Sequence, residues 1–492
     1  MKKSIIISPN DNVSVALTGL VKGEVIDGVT LLEDITRGHK FCIKPIKAGE
    51  KVVKYGQVIG SATRDIAVGE HVHLQNLKTD LSGELEYTYN PVETPNLKTD
   101  KVPTVKAYKR KNGLVGIRNE LWVIPTVGCV NAQAKEIVNR FNQKHPNLEY
   151  VEGVYTFTHP YGCSQVGEDH ERTKKLLQQM VKHPNAGGVL VLGLGCENNR
   201  MDVFKETLGD YDAERVEFLI AQDVEDEIVE GVNRLEKLYE ACKTDKREDV
   251  LLSQIKVGLK CGGSDGLSGI TANPLLGRFS DYMASINGTT VLTEVPEMFG
   301  AETLLMARAK DQQIFDEIVK LINDFKYYYE KNGQPCYENP SPGNKAGGIS
   351  TLEDKSLGCT QKSGNSTVCG VVFDGGQLNS TGLNLLNGPG NDMVAVTNLA
   401  CAGCHMVLFT TGRGTPFGGF VPTVKVSTNT ALSQHKKNWI DFNAGDIVEG
   451  ASFEEKLQQL IDYVCRVASG EKTKNEINNT REIALFKTGV TL

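Results

Sequence analysis

The alternation of short apolar runs with helical patterns after residue 107 is the feature that most constrains the fold. Continuous apolar runs are typical of strands buried on both faces of a parallel sheet. Because strands that alternate with helices build such sheets, the sequence predicts an α/β domain over residues 107–248. The apolar runs lie at 121–124, 189–195 and 216–220, and the helical patterns lie at 132–141, 172–181 and 224–239.

Residues 250–492 repeat this pattern and predict a second, C-terminal α/β domain with a mainly parallel sheet. Glycine-rich segments stand at the ends of several of its strands, where ligand sites of such sheets form. The predicted strands lie at 255–259, 290–293, 368–373, 393–397 and 406–410, and the predicted helices lie at 303–325 and 452–467.

Residues 1–90 have a different character, with short alternating apolar strands separated by glycine turns about ten residues apart. This spacing predicts a small β-rich domain of barrel-like or clip-like form. Residues 91–106 are polar, contain Pro91, Pro95 and Pro103, and show no apolar period. We therefore expect a linker there, ahead of the two larger domains.

Charge and cysteine content narrow the class of protein. The 492 residues carry a net charge of −7, which argues against nucleic acid as a partner. No window reaches about 18 consecutive apolar residues, so no membrane span is predicted, and the N-terminus does not resemble a signal peptide. We therefore expect the protein in the cytoplasm. Its 12 cysteines should then be free thiols or metal ligands and not form disulfides. The length of the chain suggests that the protein forms a homo-oligomer.

Cys163, Cys196 and Cys261 stand in similar glycine-rich turns, and the last two directly follow apolar strands. Thiols at the carboxyl ends of strands could converge to bind iron, zinc or an iron–sulfur cluster. The alternative is that each cysteine is a small apolar side chain in a tight turn. The single C-x-x-C, from Cys401 to Cys404, is weak evidence for a metal because it stands alone.

Histidines offer a second candidate metal site. His71 and His73 are two residues apart, so in a strand their imidazoles point to the same face. His39 lies in the same predicted domain, which holds three of the nine histidines. Such imidazoles can bind a divalent ion, although an exposed polar strand face gives the same pattern. His159, held extended by Pro160, is either a general acid or base or a structural histidine.

Three further loops are suited to anions. Lys345 follows a Pro- and Gly-rich turn, and Arg413 follows a predicted strand with glycine and threonine around it. A guanidinium can bind a carboxylate through two hydrogen bonds. Ser264, Asp265 and Asn273 lie in a third loop, which is dense in short polar groups. Turns that simply need Gly and Pro would look similar. The chain has neither a Walker A pattern nor a strand–GxGxxG–helix unit.

Taken together, longer motifs resemble the altronate/galactarate dehydratase family from the N-terminal domain to the last residue. Cys401 departs from the usual altronate pattern, which makes the C-x-x-C accidental. The motifs include GHKF, GEHVH, RNELWVIPTVGCVN, HPYGCSQ, GLGCENN, CGGSDGLSGITANP, TEVPEMFGAE, ENPSPGNKAGGI, LEDKSLGCTQKSG and GCHMVLFTTGRGTPFGGFVPTVK.

The resemblance implies an N-terminal SAF-type β domain and a hydro-lyase that acts on a sugar acid. The altronate branch fits better, which implies dehydration of D-altronate to 2-dehydro-3-deoxy-D-gluconate in hexuronate breakdown. Loss of the C2 proton and of the C3 hydroxyl would be the chemistry. Galactarate or another sugar acid is the alternative substrate. A sugar-acid-binding regulator without catalysis is the alternative class, and the intact motifs argue against it.

The resemblance also implies an Fe²⁺ enzyme, with Mn²⁺ as a second candidate metal. On this hypothesis His39, His71 and His73 bind the metal and Arg413 and Lys345 hold the substrate carboxylate. The rival hypothesis is an iron–sulfur cluster on Cys163, Cys196 and Cys261 with one open iron. The remaining expected roles are proton transfer by His159, His39 and Lys40, and substrate binding by Ser264, Asp265 and Asn273.

Overall fold

The computed structural model describes residues 2–83, 85–96, 99 and 101–492. It confirms the predicted fold class, a β-rich N-terminal module followed by two α/β regions with parallel sheets. No helix in the described part of the chain is long and apolar enough to cross a membrane.

The N-terminal module consists of short antiparallel strands. One sheet has the order β1-β2-β5-β8 and another the order β6-β7-β9, while β3 and β4 form a pair. In the first sheet Phe41 pairs with His71, which brings the residues just before β5 close to the start of β8. The strands are β1 (Ser4–Ile5), β2 (Val13–Ala16), β3 (Val25–Ile26), β4 (Val29–Thr30), β5 (Lys40–Cys42), β6 (Lys51–Lys54), β7 (Gln57–Ala62), β8 (His71–Val72) and β9 (Leu77–Lys78).

The second region contains a parallel sheet of order β13-β12-β14-β15 with helices packed against it. Its central strands are buried on both faces, as their apolar runs predicted. Its elements are β10 (Thr104–Lys109), β11 (Val115–Gly116), β12 (Glu120–Pro125), α1 (Asn131–Lys144), β13 (Val154–Thr156), α2 (Gly167–Val181), β14 (Ala186–Gly193), α3 (Met201–Leu208), β15 (Val216–Ile220), α4 (Glu227–Ala241) and β16 (Glu248–Leu251).

The third region is built on a parallel sheet of order β19-β20-β18-β17-β21-β22-β23. Its elements are β17 (Lys256–Cys261), α5 (Ala272–Ser285), β18 (Thr289–Leu292), α6 (Glu302–Met306), α7 (Gln312–Lys331), α8 (Pro342–Ala346), α9 (Leu352–Thr360), β19 (Val368–Val372), β20 (Gly382–Leu386), α10 (Asp392–Cys401), β21 (Met406–Thr411), β22 (Thr423–Ser427), α11 (Thr430–His435), β23 (Phe442–Asn443), α12 (Phe453–Ala468) and α13 (Lys474–Ile477).

Strand β10 begins at Thr104, inside the segment expected to be a linker, and pairs antiparallel with β16. Val105 and Val250 face each other in this pairing and join the hydrophobic core of the third region. The second hydrophobic core contains side chains of both α/β regions, including Trp122 and Leu399. The two regions are therefore packed directly against each other through apolar contacts.

Two of the predicted elements are wrong. The segment 393–397, predicted as a strand, lies in α10, where Asn391 caps the helix by accepting a hydrogen bond from the Val394 amide (3.1 Å). A short apolar run does not distinguish a buried helix from a buried strand. The predicted helix 303–325 is two helices, because Asp311 starts a new one by accepting from the Ile314 amide (3.0 Å).

Candidate active site

Three imidazoles meet where the N-terminal module contacts the third region. His39 precedes β5, His71 opens β8 and His73 follows that strand. One ligand atom from each ring lies within 4.8 Å of the other two, and the His39 Nδ1 and His71 Nε2 atoms are 3.0 Å apart. The structure thus brings together the three histidines that the sequence suggested, in a geometry suited to one divalent ion.

Backbone and side-chain oxygens of the third region orient two of these rings. His39 Nε2 lies 3.2 Å from the Ala346 carbonyl oxygen, and His73 Nδ1 lies 3.1 Å from Ser350 Oγ. Since the carbonyl can only accept, His39 Nε2 carries the proton and the Nδ1 lone pair remains for a ligand. Burial lowers the pKa of His73 to about 3 and the pKa of His71 to about 4, so both rings are neutral near pH 7.

A buried ionic triad lies beside the histidines. Asp354, on α9, accepts from Lys40 Nζ and from Lys54 Nζ at 2.9 Å each, and all three side chains are buried. Burial alone would raise the pKa of Asp354, but the two ammonium groups outweigh it and hold the pKa below its usual range. Lys40 also donates to the Gly348 carbonyl (3.3 Å) and to Ser350 Oγ. The predicted catalytic residue Lys40 therefore joins the N-terminal module to α9.

Close backbone approach closes the site around the histidines. Gly266 donates to the Gly347 carbonyl oxygen at 2.7 Å. A Cβ at Gly266 would stand 2.0 Å from the carbonyl oxygen of Gly38, so a side chain does not fit there. Gly38 has a φ of +83°, in the region that favours glycine. Glycines at these positions thus allow three loops to meet.

Two cationic residues, Arg413 and Lys345, lie on segments near this site. Arg413 is exposed, and its Nε would lie 3.8 Å from a Cβ at Gly343, the second residue of the short helix α8, which also carries Lys345. Within the described part of the chain, neither cation has a carboxylate at ion-pair distance. This pair of free cations is suited to a carboxylate ligand.

The remaining predicted substrate-binding residues, Ser264, Asp265 and Asn273, form hydrogen bonds mainly with other groups of the protein. Asn273 is fully buried; its amide donates to the Gly358 carbonyl (2.9 Å) and accepts from Thr410 (2.6 Å). Asp265 accepts from Thr428 (3.0 Å), and burial raises its pKa. Ser264 is buried, and its carbonyl accepts from Asn344 at 2.8 Å.

Arg37 is a residue that the sequence reasoning missed. It lies two residues before His39, and its positive charge acts on half-buried Asp265. Within the described part of the chain, its Nε is buried without a hydrogen-bond partner. The signal was present in the Arg37-Gly38-His39-Lys40 segment, where only His39 and Lys40 were singled out.

His159 lies in the second region rather than at the histidine cluster. It is buried, with Nε2 2.8 Å from the Pro125 carbonyl oxygen, while Nδ1 accepts from the Tyr161 amide at 3.2 Å. Both ring nitrogens are thus engaged by backbone, and burial lowers the pKa of the ring. This geometry suits a residue that fixes the 159–163 turn.

The three cysteines of the rival hypothesis lie in different surroundings. Cys163 and Cys196 are exposed on loops of the second region, whereas Cys261 is buried at the end of β17. The sulfur of Cys261 contacts Lys362 Nζ (2.8 Å), a Glu297 oxygen (3.2 Å) and the sulfur of Cys359 (3.3 Å). Its neighbours therefore include neither of the other two predicted ligands.

Cys261, Glu297 and Cys359 form a second buried group whose ligand atoms lie within 4.8 Å of one another. Glu297 also pairs with Lys355 at 2.7 Å. The hydrogen bond with Cys261 and burial raise the pKa of Cys359 well above the usual range for a thiol. The lysines already balance the acidic groups, so this group is better suited to holding the loops of the site than to binding a cation.

Three imidazoles suited to a divalent ion lie between a β module and a parallel sheet, with cationic residues on nearby segments, which is typical of an enzyme with a small anionic substrate. Three family descriptions match the chain. They are the altronate/galactarate dehydratase SAF domain over residues 2–80, the D-galactarate dehydratase/altronate hydrolase second domain over 107–243, and the D-galactarate/altronate dehydratase C-terminal domain over 252–491.

Similar proteins agree with these matches. The chain is 56% identical to an altronate dehydratase of Escherichia coli (strain K12) over 98% of both chains. It is 55% identical to an altronate dehydratase of Bacillus subtilis (strain 168) over the full length of both. A galactarate dehydratase (L-threo-forming) of Escherichia coli (strain K12) is 32% identical over 95% of this chain and 92% of its own. The chain belongs to the D-galactarate/altronate dehydratase family.

Proposed function

We propose that this enzyme dehydrates D-altronate to 2-dehydro-3-deoxy-D-gluconate, as a cytoplasmic step of hexuronate breakdown. The observation that carries the proposal is a cluster of three imidazoles in contact with α8, the helix that carries Lys345 and lies near Arg413. Within the described residues neither cation pairs with a carboxylate. Identity of 55–56% to two altronate dehydratases, against 32% to a galactarate dehydratase, supports altronate as the substrate.

The reaction removes the proton at C2 and the hydroxyl at C3. Because the substrate carboxylate is already negative, the charge that develops next to it needs cationic groups. In our proposal Arg413 binds the carboxylate through two hydrogen bonds and Lys345 adds a second positive charge. Binding of the carboxylate by these two cations would place C2, the next carbon, beside them.

The histidine cluster fits a divalent ion, and we propose Fe²⁺, with Mn²⁺ as the second candidate. His39 Nδ1, His71 and His73 would hold it, with Ala346 and Ser350 fixing two of the rings. When bound, such an ion supplies positive charge to the carboxylate and to the departing hydroxyl. The identity of the proton-transfer group stays a prediction: Lys40 is paired with Asp354, and both nitrogens of the His39 ring are engaged when His39 also holds the ion.

The test is an anaerobic assay of 2-keto-acid formation from D-altronate, galactarate and other aldonates, with Fe²⁺ or Mn²⁺ supplied. We expect turnover of altronate with the highest kcat/KM. Preferred turnover of galactarate would overturn the substrate assignment and leave the fold intact. Size-exclusion chromatography with light scattering of the same preparation tests the predicted homo-oligomer.

Arg413→Gln tests the carboxylate contact. A charged hydrogen bond contributes about 1.5–3 kcal/mol, so kcat/KM for altronate should fall roughly 10- to 100-fold. Arg140→Gln is the matched control, because Arg140 is an exposed arginine on α1. An Arg413→Gln enzyme with the KM and kcat of the wild type would refute this placement of the carboxylate.

A further inference from the structure

Three exposed cysteines stand at one edge of the second region's sheet. Cys129, Cys163 and Cys196 are exposed, while the other cysteines of the described residues are buried or half-buried. They follow β12, β13 and β14 respectively, and these three strands are neighbours in the order β13-β12-β14. Because the strands are parallel, the three segments leave the sheet at the same edge. Cys129 was not among the residues singled out from the sequence.

Hydrogen bonds join the three cysteine-bearing segments directly. The Gly128 amide donates to the Tyr161 carbonyl at 2.8 Å, which links the Cys129 segment to the Cys163 segment. The Asn199 amide donates to the Gly162 carbonyl at 2.9 Å, and its side-chain amide donates to the Thr126 carbonyl at 3.1 Å. The Cys196 segment is therefore bonded to both of the others.

The Cys163 turn is pressed against the Cys129 segment. A Cβ at Gly162 would lie 2.0 Å from the Thr126 carbonyl oxygen, and Gly162 has a φ of +97°. Ser164 has a φ of +58°, which a serine adopts only when its surroundings impose it. The backbone thus holds the residues on both sides of Cys163 in an unusual conformation beside the other two segments.

Unpartnered polar atoms on the same segments point to a missing polar group. Gln165 Nε2 and Asn199 Oδ1 have no hydrogen-bond partner within the described part of the chain. Both side chains are almost completely buried, at 2% and 1% exposure. They follow Cys163 by two residues and Cys196 by three. A buried polar atom without a partner is costly, so a polar ligand at this edge would satisfy them.

The spacing of the thiols separates this edge from a site for one ion. The histidine ligands and the Cys261 group each lie within 4.8 Å, and in the described residues no such group contains two of these three cysteines. In an iron–sulfur cluster each cysteine binds a different iron, so the sulfurs stand further apart than the ligands of a single ion. Three thiolates on three neighbouring segments match that requirement.

We propose that Cys129, Cys163 and Cys196 bind an iron–sulfur cluster of the [4Fe–4S] type at this edge. Three irons each receive one thiolate, and the fourth iron has no cysteine and is open to an oxygen of a small ligand. The cluster replaces the ligand set with Cys261 that the sequence suggested. It is a second metal site, separate from the histidine cluster, and does not rest on the choice of altronate as substrate.

The test uses the full-length protein purified without oxygen, with iron, acid-labile sulfide and the visible spectrum measured on each preparation. We expect about four sulfides per chain and broad visible absorption from a [4Fe–4S] cluster. Cys129→Ser, Cys163→Ser and Cys196→Ser should each lose most of the sulfide and the absorption. Cys465→Ser is the matched control, because Cys465 is half-buried on α12, and it should keep both.

Several outcomes would overturn the cluster. One is wild-type protein without sulfide even after reconstitution with iron and sulfide. A second is wild-type protein that contains iron but no sulfide, together with cysteine variants that lose the iron. This result would mean that the cysteines bind a single iron ion. A third is a Cys129→Ser protein with unchanged sulfide. Circular dichroism checks that each variant is folded. Turnover of altronate is measured separately, so failure of the substrate assignment is distinguishable from failure of the cluster.

Discussion

Replacing Asp354 with asparagine should loosen the N-terminal module from the third region. Asp354 lies between the ammonium groups of Lys40 and Lys54, at 2.9 Å from each, and none of the three side chains is more than 2% exposed. The two lysines come from β5 and β6, whereas the carboxylate comes from α9. Asp354→Asn therefore leaves two buried cations without their counter-ion.

The size of the effect follows from this burial. Breaking a buried ion pair by removing one partner costs about 3–5 kcal/mol, since an uncompensated charge remains. Because Asp354→Asn leaves two buried ammonium groups without a counter-ion, its cost in stability should lie toward the upper end of about 3–5 kcal/mol. Every ~1.4 kcal/mol is a factor of ten, so amides protected by docking of the module should exchange roughly 10³- to 10⁴-fold faster.

Hydrogen exchange followed by mass spectrometry measures this at β5 and β6 in the full-length protein. Asp65→Asn is the matched control: Asp65 pairs with Lys47 at 2.8 Å, but both side chains are largely exposed, so its loss should leave exchange unchanged. Equal exchange rates in the two variants would refute the idea that the triad holds the module in place.

The same triad gives a pH dependence. The pKa of Asp354 is lower in the folded protein than the ~3.9 of an unfolded aspartate. A carboxyl group with a lowered folded pKa stabilises the fold above its unfolded pKa, and this contribution is lost as the pH falls toward the folded value. Docking of the wild-type module should therefore weaken below about pH 4, while Asp354→Asn lacks this component of the acid sensitivity.

Three further outcomes are expected. His71→Ala should lose the divalent metal that is not associated with sulfide. His435→Ala is the control and should keep it, because His435 is an exposed histidine of α11. Equal metal contents in the two variants would contradict the histidine site. Ser350→Ala should weaken metal affinity about 10- to 100-fold, because Ser350 orients the His73 ring, and metal titration measures this. Glu476→Gln should cost about 3–5 kcal/mol by breaking the buried pair with Arg118 (2.7 Å), seen as a lower Tm; an unchanged Tm would contradict it.

Local patterns predicted much of the parallel architecture, because buried strands such as β12 and β14 carry unbroken apolar runs. The same reasoning failed at α10, where a helix buried all round gives an equally unbroken run. The 3.6-residue apolar period of a helix shows in the sequence only when one face of the helix is polar. Hydrophobic pattern alone therefore could not separate the two elements at that length.

The histidine cluster was predictable in part. The i, i+2 spacing placed His71 and His73 on one face, but their partner His39 is brought in by the pairing of β5 with β8. The acid that holds Lys40 lies 314 residues further along the chain. No local pattern reports such a contact. Cys129 was missed for a related reason, since its relation to Cys163 depends on which strands are neighbours in the sheet.

The candidate site is therefore formed by both the N-terminal module and the third region. The imidazoles come from the N-terminal module, yet the oxygens that orient His39 and His73 belong to Ala346 and Ser350 of the third region. The proposed carboxylate contacts at Arg413 and Lys345 also belong to that region. A metal held by the module alone would lack both the oriented rings and the cations proposed to bind the substrate. The Lys40–Asp354–Lys54 triad joins the module to α9, so it holds the proposed metal ligands next to the proposed substrate contacts, and the stability of that interface and catalysis should change together.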